Sequence, residues 1–335
     1  MTSPMIRATA ARPWAVALAL VLVGGLAAQS LFAQQRAADT PALETIQIRP
    51  NVHVIFGAGG NITVHVGEDG VILVDSGSAA TAARVVEAVK AISSQPIRLI
   101  LNTSADADHV GGNEIVGAAG MQLNPDTFSD APQATILSHE NVMLRMSAPS
   151  GSEPAYDTAA LPTETYTARH RSMYLNDDAV QMLRQVGAHS DGDSMVMFRR
   201  ADVIATGDII DLRQFPVIDP AKGGSIQGEL EALNRLLELT VPAMPLVLKE
   251  GRTLLVPGHG RVADYAELVE YRDMVTIIKN NIQALIDKGQ TLQQVKAANP
   301  TAGYRRRYGS DTGPWTTDMF VEAIYNGLKN PAVKS

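Results

Sequence analysis

Short runs of apolar residues, separated by glycine-rich turns, begin near residue 46 and predict a series of β-strands. The first three strands are predicted at Val52–Phe56, Asn61–Val66 and Val71–Val74. The glycine-containing segments Gly57 to Gly60 and Gly67 to Gly70 provide the turns between them. The first part of the domain is therefore expected to open with antiparallel hairpins.

Helical periodicity follows the hairpins. After Ser78, apolar residues recur on one helical face through Ile92, and Pro96 ends the helix before a strand at Ile97–Leu101. Further strands are predicted at Ser194–Phe198, Asp202–Ala205 and Thr253–Val256, and further helices at Glu229–Leu239, Tyr265–Lys288 and Asp318–Leu328. Strands occur both in hairpin clusters and between helices, so the pattern predicts an α/β class with mixed β-sheets.

One long stretch lacks a clear period. Asp126–Tyr174 is rich in Ser, Pro, Thr and Asp, and we predict a long loop with short helices there, not a separate domain.

The N-terminus is typical of an export signal. Arg7 and Arg12 precede an apolar run from Trp14 to Ala28, and small residues such as Ala33 follow it. The alternative is a membrane anchor, but the run is shorter than the roughly 20 residues of a spanning helix. We predict a signal peptide over residues 1–33, a leader over 34–45 and one domain over 46–335. The mature protein is expected to be periplasmic or secreted, without a membrane contact.

Composition narrows the chemistry. The 335 residues include seven histidines and no cysteine, so any metal must be held by His, Asp or Glu. A content of 45% hydrophobic residues argues against a disordered chain. The net charge of −7 argues against a nucleic-acid partner, and we expect a small-molecule substrate. The sequence leaves the oligomeric state open.

Acidic and histidine residues occur at the ends of predicted strands. One group follows Ile97–Leu101, two residues follow later strands, and one histidine precedes a strand. In chain order the candidates are Asp106, Asp108, His109, His189, Asp208 and His259. Strand ends meet at one edge of a sheet, so these oxygen and nitrogen ligands predict a metal site there.

These motifs resemble the metallo-β-lactamase-fold hydrolases over nearly all of the mature sequence. The stretch from Gly59 to Gly77 is similar to the opening of that family, and Asn102–Asn113 is similar to its first metal motif. Gly223-Gly224-Ser225 resembles the exported, cyclase-like and quinoprotein-associated members. The resemblance implies a four-layer αβ/βα metallo-β-lactamase sandwich with mixed β-sheets, and a site in a shallow groove at the sheet edges.

The sequence departs from the family in its first metal motif. The family pattern is His-x-His-x-Asp-His, and this chain has Ser104-x-Asp106-x-Asp108-His109. By resemblance, one metal site is reduced to Ser104, Asp106 and His189. The other retains Asp108, His109 and His259, with Asp208 able to bridge both sites.

The substitutions affect the expected metal. Serine is a poor zinc ligand, and a carboxylate favours harder ions than an imidazole does. The expected cofactor is therefore one or two Zn²⁺ ions, with Mn²⁺ or Fe²⁺ possible at the altered site.

The resulting functional hypothesis is a metal-dependent hydrolase that uses a metal-activated water on an ester, lactone, amide or β-lactam. Asp106 and Asp108 are the predicted catalytic residues, with Asp106 as general base if only one ion binds. The alternative is a non-catalytic or single-ion accessory member of the fold.

The other histidines are expected to be structural. His139 is interpreted as a helix-packing or ligand-supporting residue, His53 and His65 as sheet residues, and His170 as part of a solvated loop.

Two other polar groups receive structural interpretations. Asp191 and Asp193 are expected to cap the turn that leads into Ser194–Phe198. The basic and aromatic cluster over residues 304–308 is expected to lie on the surface.

Overall fold

The computed structural model describes residues 42–123, 133–149, 155–243 and 251–330. The predicted signal peptide and residues 34–41 of the predicted leader lie outside the described residues. One compact unit begins at Leu43. Its first strand starts at Glu44, two residues before the predicted domain start. In the described part of the chain, no helix combines the length and apolar character needed to cross a membrane.

Seven strands form the first sheet, in the order β1 to β7. The first four pair antiparallel, and β5, β6 and β7 continue the sheet in parallel pairs. Their bounds are β1 Glu44–Arg49, β2 Val52–Ala58, β3 Gly60–Gly67, β4 Gly70–Val74, β5 Ile97–Leu101, β6 Thr135–His139 and β7 Glu164–Tyr166.

Five strands form the second sheet, in the order β12-β11-β10-β9-β8. The β11–β12 pair is parallel and the other pairs are antiparallel. Their bounds are β8 His170–Leu175, β9 Asp178–Arg184, β10 Ser194–Phe198, β11 Val203–Asp211 and β12 Leu254–His259.

Helices accompany both sheets. They are α1 Ala82–Ile92, α2 Ala107–Val110, α3 Asn113–Ala118, α4 Glu140–Met146, α5 Ile226–Leu239, α6 Tyr265–Asp287, α7 Leu292–Ala297, α8 Arg305–Tyr308 and α9 Thr317–Lys329. The three longest begin at side-chain caps, because Ser225, Asp264 and Thr316 each accept a hydrogen bond from a backbone N–H of the first turn.

Three clusters of buried apolar residues hold the helices and sheets together. The valines of α1 pack on one face of the first sheet. Residues of both sheets, including Leu101 and Phe198, pack against each other in the centre. The outer face of the second sheet is covered by α5, α6 and α9. Helix, sheet, sheet and helix thus form four layers with mixed sheets, which confirms the predicted fold class.

The interpretation of Asp126–Tyr174 as a long loop with short helices is wrong over its described part. It contains β6, β7 and most of β8 as well as α4, and these strands complete both sheets. β6 is only five residues long and β7 three, too short to show a period in the sequence. His170 accordingly lies on a strand, although it is exposed as expected.

Candidate metal centre

The six predicted ligands converge at one edge where the two sheets meet. The loop after β5 and the one-turn helix α2 carry Asp106, Asp108 and His109. The second sheet supplies Asp208 from β11 and His259 from the end of β12, and His189 lies in the loop before β10. β11 and β12 are longer than predicted, so Asp208 and His259 lie within strands instead of after them.

Asp108, His109 and His259 form the first ligand group. One ligand atom from each lies within 4.8 Å of the others. His259 Nε2 lies 3.0 Å from Asp108 Oδ2. Asp208 Oδ1 joins the group, at 3.0 Å from His109 Nε2 and 3.5 Å from His259 Nε2. We call these four residues the Asp108 site.

A buried carboxylate orients His109. Asp75 Oδ2 lies 2.7 Å from His109 Nδ1, which leaves Nε2 facing Asp208. Thr103 fixes that carboxylate by donating its backbone N–H to Oδ1 at 2.8 Å and its hydroxyl to Oδ2 at 2.7 Å. Asp75 has a φ of +64°, a left-handed conformation that Asp tolerates better than most residues. Such a partner fixes the tautomer and direction of a metal-binding histidine.

Two glycines make room for these side chains. A Cβ at position 60 would lie 2.8 Å from His109 Cε1, and a Cβ at position 258 would collide with Asp208 Oδ1. The imidazoles and carboxylates are ligands suited to a divalent ion such as zinc. Because backbone space, donor types and the orienting carboxylate agree, the Asp108 site fits a metal ion.

Charge inside the Asp108 site is balanced in part by a proton on His109. Burial lowers the pKa of His109, but the charges of Asp208 and Asp75 outweigh it, so the pKa is raised well above its ordinary value. Burial raises the pKa of Asp208, and His109 reverses this and lowers it. A divalent ion would replace this proton as the positive partner.

Asp106, His189 and Asp208 form a second group with ligand atoms within 4.8 Å of one another. His189 Nε2 lies 3.3 Å from Asp106 Oδ2, and its Nδ1 lies 3.4 Å from Asp193 Oδ1. Burial lowers the pKa of His189, but the hydrogen bond to Asp193 and the charge of Asp106 raise it to about 10. Asp193 also accepts the Ser190 backbone N–H at 2.7 Å, so it caps the turn as predicted and contacts His189 as well.

A lysine forms an ion pair with Asp106 of the second group. This group therefore does not fit a metal ion as well as the first group does. Lys222 Nζ lies 2.5 Å from Asp106 Oδ1. Burial lowers the pKa of Lys222, but Asp106 outweighs it, so the pKa is raised and the ammonium stays charged. Ser104 Oγ accepts the Asp106 backbone N–H at 3.2 Å and thus shapes the loop. Lys222 lies directly before the Gly223-Gly224-Ser225 motif, but no sequence pattern marks it as a site residue.

The remaining candidates have structural roles. His139 caps α4 by accepting the Asn141 backbone N–H at 3.2 Å, as expected of a helix-packing residue. Asp191 does not cap the turn, because its carboxylate binds Arg145 through two hydrogen bonds of 2.8 and 2.7 Å.

Residues 304–308 divide between surface and core. Arg305 and Arg307 form ion pairs at the surface, as predicted, but Tyr308 is buried beside Phe215. His53 lies on β2 and His65 on β3, which confirms the interpretation of both as sheet residues.

Sequence comparison finds a family match for the N-terminal segment that carries part of the site. Residues 56–120 match the sequence model of the metallo-beta-lactamase superfamily. This match includes the segment with Asp75, Asp106, Asp108 and His109. No curated protein sequence matches the chain.

Solved structures extend the similarity over the fold. The sec-alkylsulfatase Pisa1 from Pseudomonas sp. has 15% identity and a TM-score of 0.59, and the match covers 85% of this chain and 50% of that one. A metallo-beta-lactamase from Pontibacter korlensis has 16% identity and a TM-score of 0.54, covering 70% and 99%. The DIM-1 metallo-beta-lactamase has 14% identity and a TM-score of 0.52, covering 71% and 98%.

The chain spans only half the length of the alkylsulfatase that it matches. Together with the superfamily match, these structures show that the chain has the metallo-β-lactamase fold. The predicted family resemblance is confirmed at that level. Proteins of this fold are mostly metal-dependent hydrolases.

Proposed function

We propose that this protein is a metal-dependent hydrolase whose ion is held by Asp108, His109, Asp208 and His259. The observation that carries the proposal is the convergence of these four side chains from two different sheets. Their ion pairs join them to one another and to Asp75.

The residues in and behind the site have separate tasks. Asp75 holds His109 in the tautomer that presents Nε2, and Asp208 lies against both imidazoles. A divalent ion bound there would supply Lewis acidity and lower the pKa of a water molecule toward neutrality. Asp108 is 40% exposed at its side chain, which makes it the most exposed of the four ligands.

We propose that the substrate approaches through the cavity beside Asp106, which neighbours Asp108 in the chain. A cavity of about 370 Å³ opens there, with Asp106, Lys222, Arg145 and Tyr156 in its wall. Its size suits a small molecule. We propose an ester, lactone, amide or β-lactam substrate. The name of the similar sec-alkylsulfatase adds sulfate esters to the classes that should be assayed.

The experiment is a measurement of metal per chain in protein purified without added zinc, with Asp108→Ala as the test variant. We expect about one ion per wild-type chain and a marked loss in the variant. Asp287→Ala, an exposed residue at the end of α6, is the matched control and should keep the wild-type content. A metal content near zero in the wild type would refute the proposal.

Turnover distinguishes the hydrolase from the second candidate, a non-catalytic single-ion member of the fold. That candidate is favoured by the ion pair between Lys222 and Asp106. The ion pair engages the carboxylate that a one-ion mechanism could use as a base. We expect the loaded wild type to hydrolyse at least one substrate of the panel, with kcat/KM falling roughly 100-fold or more in Asp108→Ala. Full metal content without turnover on any of these classes supports the binding function instead.

A further inference from the structure

We propose that the ammonium of Lys222 takes the place of a second metal ion, so that the protein holds one ion, in the Asp108 site. The inference rests on the proposed function for that one ion. The observation is the 2.5 Å contact between Lys222 Nζ and Oδ1 of Asp106, one of the three residues of the second ligand group.

Both oxygens of Asp106 are already used. Oδ1 receives the lysine, and Oδ2 lies 3.3 Å from His189 Nε2. An incoming ion would have to displace the ammonium and face its positive charge at close range. Ser104, which stands where the family pattern has a histidine, contacts the backbone of Asp106 and is a weak ligand in any case.

The backbone holds Lys222 in position. It ends the short helical turn Pro220–Lys222, whose first N–H groups are capped by Asp219. The Lys222 carbonyl accepts the Asp191 backbone N–H at 2.8 Å, and Gly223 then reverses the chain with a φ of +80°. The lysine is therefore fixed at its backbone to the same loop that carries His189, so only its side-chain rotamers remain to be ordered by the ion pair.

Charge balance supports the exchange. Asp106 adds a negative charge where the family pattern has a neutral histidine, and Lys222 adds one positive charge against it. A monovalent cation carried by the chain thus neutralises the carboxylate without a metal. It also leaves a fixed positive group in the wall of the cavity beside the Asp108 site.

The test counts zinc per chain in wild type, Lys222→Met and Lys296→Met after equilibration with excess zinc and removal of free metal. Lys296 forms an ion pair with Glu322 between α7 and α9 and is the control. We expect one ion in the wild type and in Lys296→Met. Lys222→Met is expected to approach two, because Asp106 is then free to bind the second ion together with His189, and Asp208 can bridge the two ions.

Two results would overturn the inference while leaving the hydrolase proposal intact. The first is two ions in the wild type, which would mean that Lys222 gives way to metal. The second is one ion in Lys222→Met with an unchanged melting temperature. No ion in any of the proteins contradicts the proposed function, and the inference with it.

Asp106→Asn provides an independent check if Lys222→Met does not fold. The amide cannot form the ion pair but keeps the size of the side chain. If Lys222 replaces the ion, zinc content stays at one and the affinity changes by less than about threefold. A fall from two ions to one would show that Asp106 is a metal ligand and would refute the inference.

Discussion

At the scale of single residues, the site depends on a carboxylate that would not itself touch the metal. Asp75 lies behind His109 and is held by two hydrogen bonds from Thr103. Replacement by asparagine keeps the shape and the left-handed backbone, which Asn also tolerates. It places an amide NH₂ group next to the donors of Thr103 and His109, which need an acceptor.

We therefore expect Asp75→Asn to weaken zinc binding by roughly 10- to 100-fold, as loss of such an outer partner commonly does. The measurement is competition with a chromophoric chelator at constant pH. Asp318→Asn, at an exposed position in the first turn of α9, should leave the affinity unchanged. Equal affinity in Asp75→Asn and the wild type would show that Asp75 does not position His109.

The sequence predicts the ligands better than the residues that support them. Asp108, His109, Asp208 and His259 could be found because each lies beside a glycine or a strand end in a recognisable motif. Asp75 lies in a motif too, but its partner His109 is 34 positions away, and a contact over that distance has no local pattern. The role of Lys222 could not be predicted for the same reason, since Lys222 is separated from Asp106 by 116 positions in the sequence.

At the scale of elements, the long strands and helices were predictable, and the short ones were not. The helix predicted at Tyr265–Lys288 differs from α6 by one residue, because its apolar period extends over six turns. β6 owes its conformation to pairing with β5, and β7 owes its conformation to pairing with β6, more than to their own sequences. Because such short paired strands leave no periodic pattern in the sequence, the segment Asp126–Tyr174 was predicted as a loop.

Helix α5 contains a feature that opposes stability. Glu229 lies on its buried face, and neither carboxyl oxygen has a hydrogen-bond partner within the described part of the chain. Burial, and then the negative charge of Asp193, raises the pKa of Glu229 well above its ordinary value. The folded protein thus keeps a proton that the unfolded chain releases above about pH 4.5, so stability falls as the pH rises through this window.

Glu229→Gln removes this titration and keeps the side-chain size. Between pH 5 and 7 we expect the free energy of unfolding of the wild type to fall more steeply than that of the variant. The difference in slope should be at most about 1.4 kcal/mol per pH unit, the value for one proton. Urea unfolding at several pH values measures it. Parallel slopes would contradict the raised pKa.

At the scale of the whole molecule, the Asp108 site joins the two sheets. Asp108 and His109 come from the loop after β5 of the first sheet, and Asp208 and His259 from β11 and β12 of the second. Asn61 connects the same sheets without metal, by donating to the carbonyls of Pro257 and Gly260 at 2.9 and 2.8 Å. A bound ion would add a second link across this junction.

Metal removal should therefore lower the melting temperature. An ion present at about 100 times its dissociation constant stabilises the folded state by roughly 2.7 kcal/mol. For a domain of this size that corresponds to about 5 °C. We expect EDTA to lower the melting temperature of the wild type by this amount and to have no effect on His259→Ala. An equal effect of EDTA on both proteins would place the stabilising ion elsewhere.

The separation of the ligands along the chain also sets the order of events during folding. His109 and Asp208 are 99 positions apart, and Asn61 and Pro257 are 196 positions apart. Neither sheet alone contains enough ligands for tight binding, so the chain can capture its ion only after both have assembled. Metal uptake would thus be a late step, and a chain that carried the ion would already have completed its long-range contacts.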